Sequence, residues 1–320
     1  MFGSPERGGI LVTGGNGFLG RHVVAELGRN QFGPILAPRR DECDLLDSLS
    51  VERYLMRTRP EAIVHLAARV GGIEANRRAP GGFMYANLAM GLHVIEAARR
   101  FGVAKFVNVG TICAYPKFTP VPFREADLWN GFPEETNAPY GVAKKTLMLL
   151  VDSYRREYGF PGVNLLPVNL YGPGDNFDLE SSHVIPAMIR KFAEARERGD
   201  AVTDLWGTGT PTREFLYVAD AARAIRLALE APVFEQPINI GSGNEVSIRD
   251  LASLIADKIG YRGAIRFDAS RPDGQPRRCL DVSLARQVLG FEARVDLSAG
   301  LDETIDWYLQ EHRQVRRIAA

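Results

Sequence analysis

Tyr140 and Lys144 lie four residues apart, so on a helix they share one face. A phenol ordinarily titrates near pKa ~10. A neighbouring ammonium favours the phenolate, and Pro139 suggests that the helix starts just there, so that its dipole pulls the same way. The spacing therefore predicts a phenol with a lowered pKa, usable as an acid or base near neutrality. Thr111, just after an apolar run at 105–109, adds a hydroxyl that can donate to a carbonyl.

A second group of residues suits a phosphate. Gly14, Gly17 and Gly20 fall in Thr13-Gly14-Gly15-Asn16-Gly17-Phe18-Leu19-Gly20, between a strand-like run and a helical pattern. Residues without Cβ let the backbone approach a pyrophosphate, and the helix start supplies free N–H groups and partial positive charge. At the end of the next strand an acid would hold the ribose 2′-hydroxyl of NAD. Here Arg39 and Arg40 follow Leu36-Ala37-Pro38 instead. A guanidinium fork matches a 2′-phosphate, so NADP(H) is the expected cofactor. Asp44 and Leu45 follow, in reach of an adenine.

These groups need a scaffold. Short apolar runs at 9–13, 34–37, 62–67, 105–109 and 163–167 alternate with helical patterns at 16–29, 49–57, 83–101 and 139–158. Strands separated by crossover helices predict a Rossmann-type, doubly wound parallel α/β sheet. After Tyr171 the turn cluster 172–176 marks a change. Helices are expected at 183–198, 218–230, 248–259 and 297–310, with strands at 202–206 and 237–240. Residues 1–171 read as the cofactor domain, with segments near 212–243 returning to it; residues 172–320 read as mainly a smaller substrate-binding lobe. The 139–158 helix is apolar over more than one stripe (Val142, Leu147, Met148, Leu149, Leu150, Val151), which calls for burial in the monomer or for a homodimer contact.

Composition excludes other classes. Lys plus Arg and Asp plus Glu both number 39, so net charge gives no reason to expect nucleic acid or an anionic membrane. Three cysteines, Cys43, Cys113 and Cys279, make neither a disulfide framework nor a zinc site. No run approaches the ~18 apolar residues of a membrane span, and residues 1–9 do not read as a signal peptide. A cytoplasmic, metal-free enzyme is the expectation.

Taken together, the glycine turn, His65-Leu66-Ala67-Ala68, Thr111 and Tyr140-x-x-x-Lys144 resemble the extended short-chain dehydrogenase/reductase superfamily. Within it, the chain is similar to the GDP-L-fucose synthase family of 3,5-epimerase-4-reductases. That resemblance rests on Val70-Gly71-Gly72-Ile73, Cys113-Ala114-Tyr115-Pro116-Lys117, Ser182-His183-Val184-Ile185-Pro186, Trp206-Gly207-Thr208-Gly209-Thr210-Pro211, Arg213-Glu214-Phe215 and Pro272-Asp273-Gly274. It covers nearly the whole chain. Three features depart from the family's pattern: Thr111 stands where its members usually have Ser, Ile112 and Ala114 alter the loop around Cys113, and Asn16 replaces a basic residue that some carry in the glycine turn.

The resemblance implies two chemistries in one site. Protons at C3 and C5 of a nucleotide-linked 4-keto sugar are exchanged by Cys113 and His183, and C4 is then reduced with Tyr140 as proton donor. It further implies cofactor contacts from Gly14, Asn16, Gly17, Phe18, Leu19, Gly20, Arg39, Arg40, Asp44, Leu45, Leu66, Ala67, Ala68 and Val109. Tyr140, Lys144, Pro167, Asn169, Leu170 and His183 complete that set. Substrate contacts are implied for Thr111, Ile112, Cys113, Asn169, His183, Val184, Lys191, Trp206, Arg213, Asp273 and Arg278. By residue type alone, Cys113 reads as a small core residue, His183 as a solvated loop residue and Trp206 as a core aromatic. Two other functions fit the residues: a 4-ketoreductase of another activated deoxyhexose, such as a dTDP sugar, with little or no epimerisation, and a non-catalytic dinucleotide sensor. Intact Thr111, Tyr140 and Lys144 argue against the sensor.

Overall fold

The computed structural model describes residues 8–71, 73–271 and 273–319. Gly72 and Pro272, in two of the family-like stretches, and the first seven residues lie outside the described residues.

The first half alternates strand and helix: β1 (Ile10–Thr13), α1 (Phe18–Arg29), β2 (Ile35–Leu36), α2 (Ser48–Thr58), β3 (Ala62–His65), α3 (Ile73–Arg78), α4 (Pro80–Phe101), β4 (Lys105–Val109), α5 (Ala138–Tyr158) and β5 (Gly162–Pro167). The second half is more mixed: β6 (Asn169–Tyr171), α6 (Val184–Arg198), β7 (Val202–Trp206), β8 (Thr212–Tyr217), α7 (Val218–Glu230), β9 (Ile238–Ile240), β10 (Glu245–Ser247), α8 (Ile248–Ile259), β11 (Ala264–Asp268), β12 (Arg277–Arg278), α9 (Ser283–Leu289) and α10 (Leu297–Ala319).

Six strands form the main sheet in the order β2-β1-β3-β4-β5-β9, every pair parallel. Parallel strands are covered on both faces, which is why β1 and β3 are buried at every residue. Alternate side chains go to opposite cores. Ile10, Val12, Val64 and Val107 pack with Val23 and Leu27 of α1 and with α7. Leu11, Ile63 and Phe106 pack with Val51 and Leu55 of α2, Ile95 of α4, and Leu147 and Val151 of α5. Strand order reverses between β1 and β3, and ligands of such sheets bind in the crevice at that point.

A second core joins Ile185, Ile189 and Phe192 of α6, Leu251 and Ile255 of α8, Leu301 and Ile305 of α10, and Phe215 of β8. β8 is its spine, pairing with β6, β10 and β12, while β7 pairs with β11. The sequence pattern foresees neither β6, β8, β10, β11 and β12 nor α3 and α9. The strands lie in small sheets outside the main one and carry polar and charged residues, as in Thr212-Arg213-Glu214 of β8 and Arg277-Arg278 of β12, so they lack the apolar runs of β1, β3, β4 and β5. α1 starts at Phe18, two residues later than expected, because the backbone turns first: Gly17 N–H donates to Gly14 C=O at 2.9 Å.

Candidate active site

The glycine turn joins β1 to α1 at the mouth of the reversal crevice. A Cβ at Gly20 would fall 2.1 Å from the Gly14 oxygen, and one at Gly14, whose φ is +71°, would fall 2.9 Å from Ala67. Larger residues would therefore push α1 away from the turn and the turn away from the Leu66-Ala67-Ala68 loop. α1 has no side-chain cap at Gly17 and no acid in its first turn, so the N–H groups of Phe18, Leu19 and Gly20 face an uncontested anion site. Asn16 Nδ2 donates to the Ala37 carbonyl at 3.0 Å and ties this turn to the end of β2.

The segment after β2 carries the arginines. Both are exposed. Arg40 pairs with Asp44 at 3.3 Å, whereas the Arg39 guanidinium has no hydrogen bond or ion pair among the described residues. Asp44 also accepts from Leu46 N–H, and the carboxyl is held below its ordinary range by that bond first and by Arg40 in addition. Leu45 is half-buried, and its carbonyl bonds the His93 ring at 2.9 Å.

The residues expected to carry the chemistry meet at the C-terminal end of β4. Thr111 is buried and caps a short 3-10 turn at Ile112–Ala114, its hydroxyl accepting from Cys113 N–H at 3.2 Å. α5 docks on this turn at Gly141, where a Cβ would fall 2.3 Å from the Cys113 carbonyl oxygen. Gly141 is a site residue that spacing could not reveal, because only the approach of the two segments demands it. The docking brings Tyr140 beside Cys113 and within hydrogen-bond reach of Thr111. One turn along, the wholly buried Lys144 donates to the Val109 carbonyl at 2.9 Å, and burial lowers its ammonium to about 8. Ile112 belongs to the core.

One expectation is reversed. The Tyr140 phenol is pushed up, not down: burial dominates, Cys113 adds to it, and the Thr111 hydrogen bond only partly offsets them. Lys144 is committed to Val109. In this fold Tyr140 is a protonated phenol, suited to giving a proton.

Across the cleft, β8 and β12 run side by side with Arg213 opposite Arg278. Arg213 donates to the carbonyls of Thr212 at 2.7 Å and Asp273 at 3.2 Å. Burial, then the charge of Arg278, lowers it to about 10. Arg278 donates to Cys113 Sγ at 3.6 Å. The Asp273 carboxylate accepts from Thr208 N–H and Oγ1 at 2.7 and 2.8 Å, so it fixes the loop after Trp206. Trp206 is 56% exposed, with Arg271 over its ring, and is no core aromatic. Lys191 reaches from α6 to the Asp204 carbonyl of β7 at 3.0 Å. A chain of contacts thus runs from Thr208, two residues after Trp206, through Asp273, Arg213 and Arg278 to Cys113 and Tyr140.

His183 stands at the start of α6, and its ring makes no hydrogen bond among the described residues. Water reaches it, yet protein surrounds it closely enough to lower its pKa. Val184, next to it, packs on the second core. Asn169 donates to the Glu214 carbonyl at 3.0 Å, and Pro167 and Leu170 pair with Ile240 and Leu216.

Two buried polar groups beneath the site escaped the sequence reading. Glu214 is wholly buried and accepts from Gly243 and Leu280 N–H at 2.7 Å each. Asn239, also wholly buried, accepts from the Tyr115 hydroxyl at 2.7 Å and donates to the Phe123 and Asp281 carbonyls. They lock β8, β9 and the segment after β12 under the catalytic turn. Their only sequence signal is a polar residue flanked by strand-like ones.

A doubly wound sheet, a glycine-rich turn at its reversal point, and Thr111, Tyr140 and Lys144 at a strand end define a dinucleotide-dependent oxidoreductase fold and site. The chain belongs to the NAD dependent epimerase/dehydratase family, whose profile matches residues 10–241. It is 39% identical to GDP-L-fucose synthase of Escherichia coli strain K12, over 96% of this chain and 98% of that protein. It is likewise 39% identical to GDP-L-fucose synthase 1 of Arabidopsis thaliana, over 96% and 95%. The crystal structure of a GDP-L-fucose synthetase from Naegleria fowleri bound to NADP superposes with a TM-score of 0.89 at 29% identity, covering 98% of this chain and 96% of that one.

Proposed function

We propose that this protein converts GDP-4-keto-6-deoxy-D-mannose to GDP-L-fucose, by epimerisation at C3 and C5 followed by reduction at C4. The observation that carries it is the convergence of Cys113, Tyr140, Thr111 and Arg278 at the end of β4, beside a dinucleotide cradle. The guanosine and fucose parts of the assignment rest on the relatives named above, and so does the choice against a dTDP sugar.

The cradle fits NADP(H), since side chains at Gly14 and Gly20 would collide with its own backbone. The uncapped start of α1 would hold the pyrophosphate, and Arg39, the unengaged arginine, the 2′-phosphate. When bound, NADPH supplies the hydride to C4. The rest is the work of the chain. A carbonyl at C4 acidifies the neighbouring C–H bonds. Thiolate at Cys113 takes a proton from one face, the C–H electron pair passes toward the C4 oxygen, and His183 returns a proton from the other face. Thr111 and Tyr140 hydrogen-bond the C4 oxygen as charge builds there. Tyr140, protonated in the fold, then donates its proton to that oxygen. Arg213 is suited to the diphosphate, and Trp206 to the sugar or base.

We read residues 1–171, with the segments near 212–243, as the cofactor lobe, and 172–320 as mainly the substrate lobe; β9 at the sheet edge supports this division. Exposed Tyr85 and Leu92 on α4 and Leu149 on α5 support a homodimer through these helices. No described helix is long and apolar enough to cross a membrane. With three free cysteines, a cytoplasmic setting is our reading.

The deciding experiment supplies GDP-4-keto-6-deoxy-D-mannose and NADPH in deuterated water. GDP-fucose labelled at C3 and C5 supports the whole assignment. A C4-reduced, unlabelled sugar leaves a reductase without epimerase activity, and no turnover rejects this substrate.

A further inference from the structure

Arg213 and Arg278 are packed side by side, and among the described residues neither has a carboxylate within ion-pair distance. Two guanidiniums in one cleft, neither of them neutralised, call for anions. Arg213 is committed to two carbonyls and flanks the loop that holds Trp206, which suits a diphosphate. Arg278 points elsewhere. One of its terminal nitrogens lies 3.6 Å from Cys113 Sγ, and its Nε donates to Gln275 Oε1. Gln275 is only 7% exposed, and its Nε2 donates to the Lys117 carbonyl at 2.6 Å. A fixed relay thus runs from the backbone beyond the catalytic turn, through a neutral amide, to a permanent cation aimed at the sulfur.

We propose that Arg278 holds the Cys113 sulfur as thiolate, and that Gln275 is the positioning residue that aims it. The assignment rests on the reading of Cys113 as the base that takes protons from carbon. A thiol is a poor base and a thiolate a competent one. Among the described residues, the groups facing Cys113 are the charges of Arg278 from β12 and Arg213 from β8, with the phenol of Tyr140 from α5. A guanidinium keeps its charge at every working pH, so this partner never titrates away. The neutrality of Gln275 matters: a carboxylate in its place would pair with Arg278 and cancel the field at the sulfur. In the step itself the thiolate gains the proton from C3 or C5, the C–H pair moves toward the C4 oxygen, and the neutral thiol later releases its proton to water.

The test is the pH dependence of Cys113 alkylation by iodoacetamide, without substrate, with Cys113→Ser protein subtracting reaction at Cys43 and Cys279. In Arg278→Gln the midpoint should rise by about one unit, so that the rate at pH 7 falls roughly tenfold. Gln275→Glu should give a smaller rise, and Arg278→Lys should recover most of the rate. Each protein is first checked for NADPH binding; if Arg278→Gln fails it, the glutamate and lysine variants decide. Superimposable profiles in variants that bind NADPH overturn the proposal, and a raised substrate KM with an unmoved profile assigns Arg278 to substrate alone. Failure of the underlying reading looks different: wild-type enzyme that reduces its substrate without deuterium at C3 or C5 removes the carbon-base role, whatever the alkylation profiles show.

Discussion

Lys144 Nζ donates to the Val109 carbonyl at 2.9 Å, bolting the start of α5 to the last residue of β4. The ammonium is wholly buried, and its fall from 10.5 to about 8 means that the fold disfavours its charge by about 3 kcal/mol. Lys144→Met removes that penalty and one hydrogen bond of roughly 1 kcal/mol. The thermal midpoint should stay within a few degrees of wild type while kcat falls roughly tenfold to a hundredfold, because the bond to Val109 sets where α5 holds Tyr140. Wild-type kcat in this variant would show that the Lys144 bond does not position Tyr140.

Tyr140→Phe removes one hydroxyl. Reduction of C4 then lacks its proton donor, and kcat should fall about 10²- to 10⁴-fold. NADPH affinity, read by fluorescence, should change little. Turnover at the wild-type rate would take Tyr140 out of the mechanism.

The two arginines after β2 should not be equivalent. Arg40 is already paired with Asp44, and the Arg39 guanidinium has no partner among the described residues. Arg39→Ala should weaken NADPH roughly tenfold to a hundredfold and leave NADH nearly unchanged, with a smaller effect from Arg40→Ala. Equal losses for both cofactors would sink the 2′-phosphate assignment.

His65 gives the fold a pH dependence. Its Nδ1 shares a 2.8 Å hydrogen bond with Thr13, and burial, then the charge of Lys144, lowers its pKa to about 3. Below its ordinary 6.5 the unfolded chain takes up a proton that the fold refuses, so stability is lost as pH falls from 6.5 toward 3 and is unaffected above that window. The loss is roughly 1.4 kcal/mol per pH unit. Urea unfolding at pH 6.5 and 4.5 should show a shallower decline in His65→Asn than in wild type. Parallel declines would mean that carboxylates alone set the acid limit.

Leu149 is 47% exposed on α5. If α4 and α5 form the homodimer contact, Leu149→Arg should yield monomers in sedimentation velocity where the wild type gives dimers. Identical sedimentation would move the contact elsewhere or remove it.

The sequence by itself determined the sheet, the glycine turn at its reversal point and the class of cofactor. The apolar run of β1 and the glycine spacing are local: each acts through backbone a few residues away, so its meaning survives in one dimension. Tyr140 and Lys144 were legible for the same reason, since helical spacing puts them on one face. Tertiary structure decided the rest. Arg213 and Arg278 are 65 positions apart and became neighbours only because β12 pairs with β8, and Tyr140 met Cys113 only because Gly141 lets α5 approach the turn after β4. The protonation of Tyr140 was misread from spacing because it depends on how much protein surrounds the phenol and on where Lys144 spends its hydrogen bond. Desolvation and long-range pairing arise from packing, and no spacing of residue types along the chain encodes them.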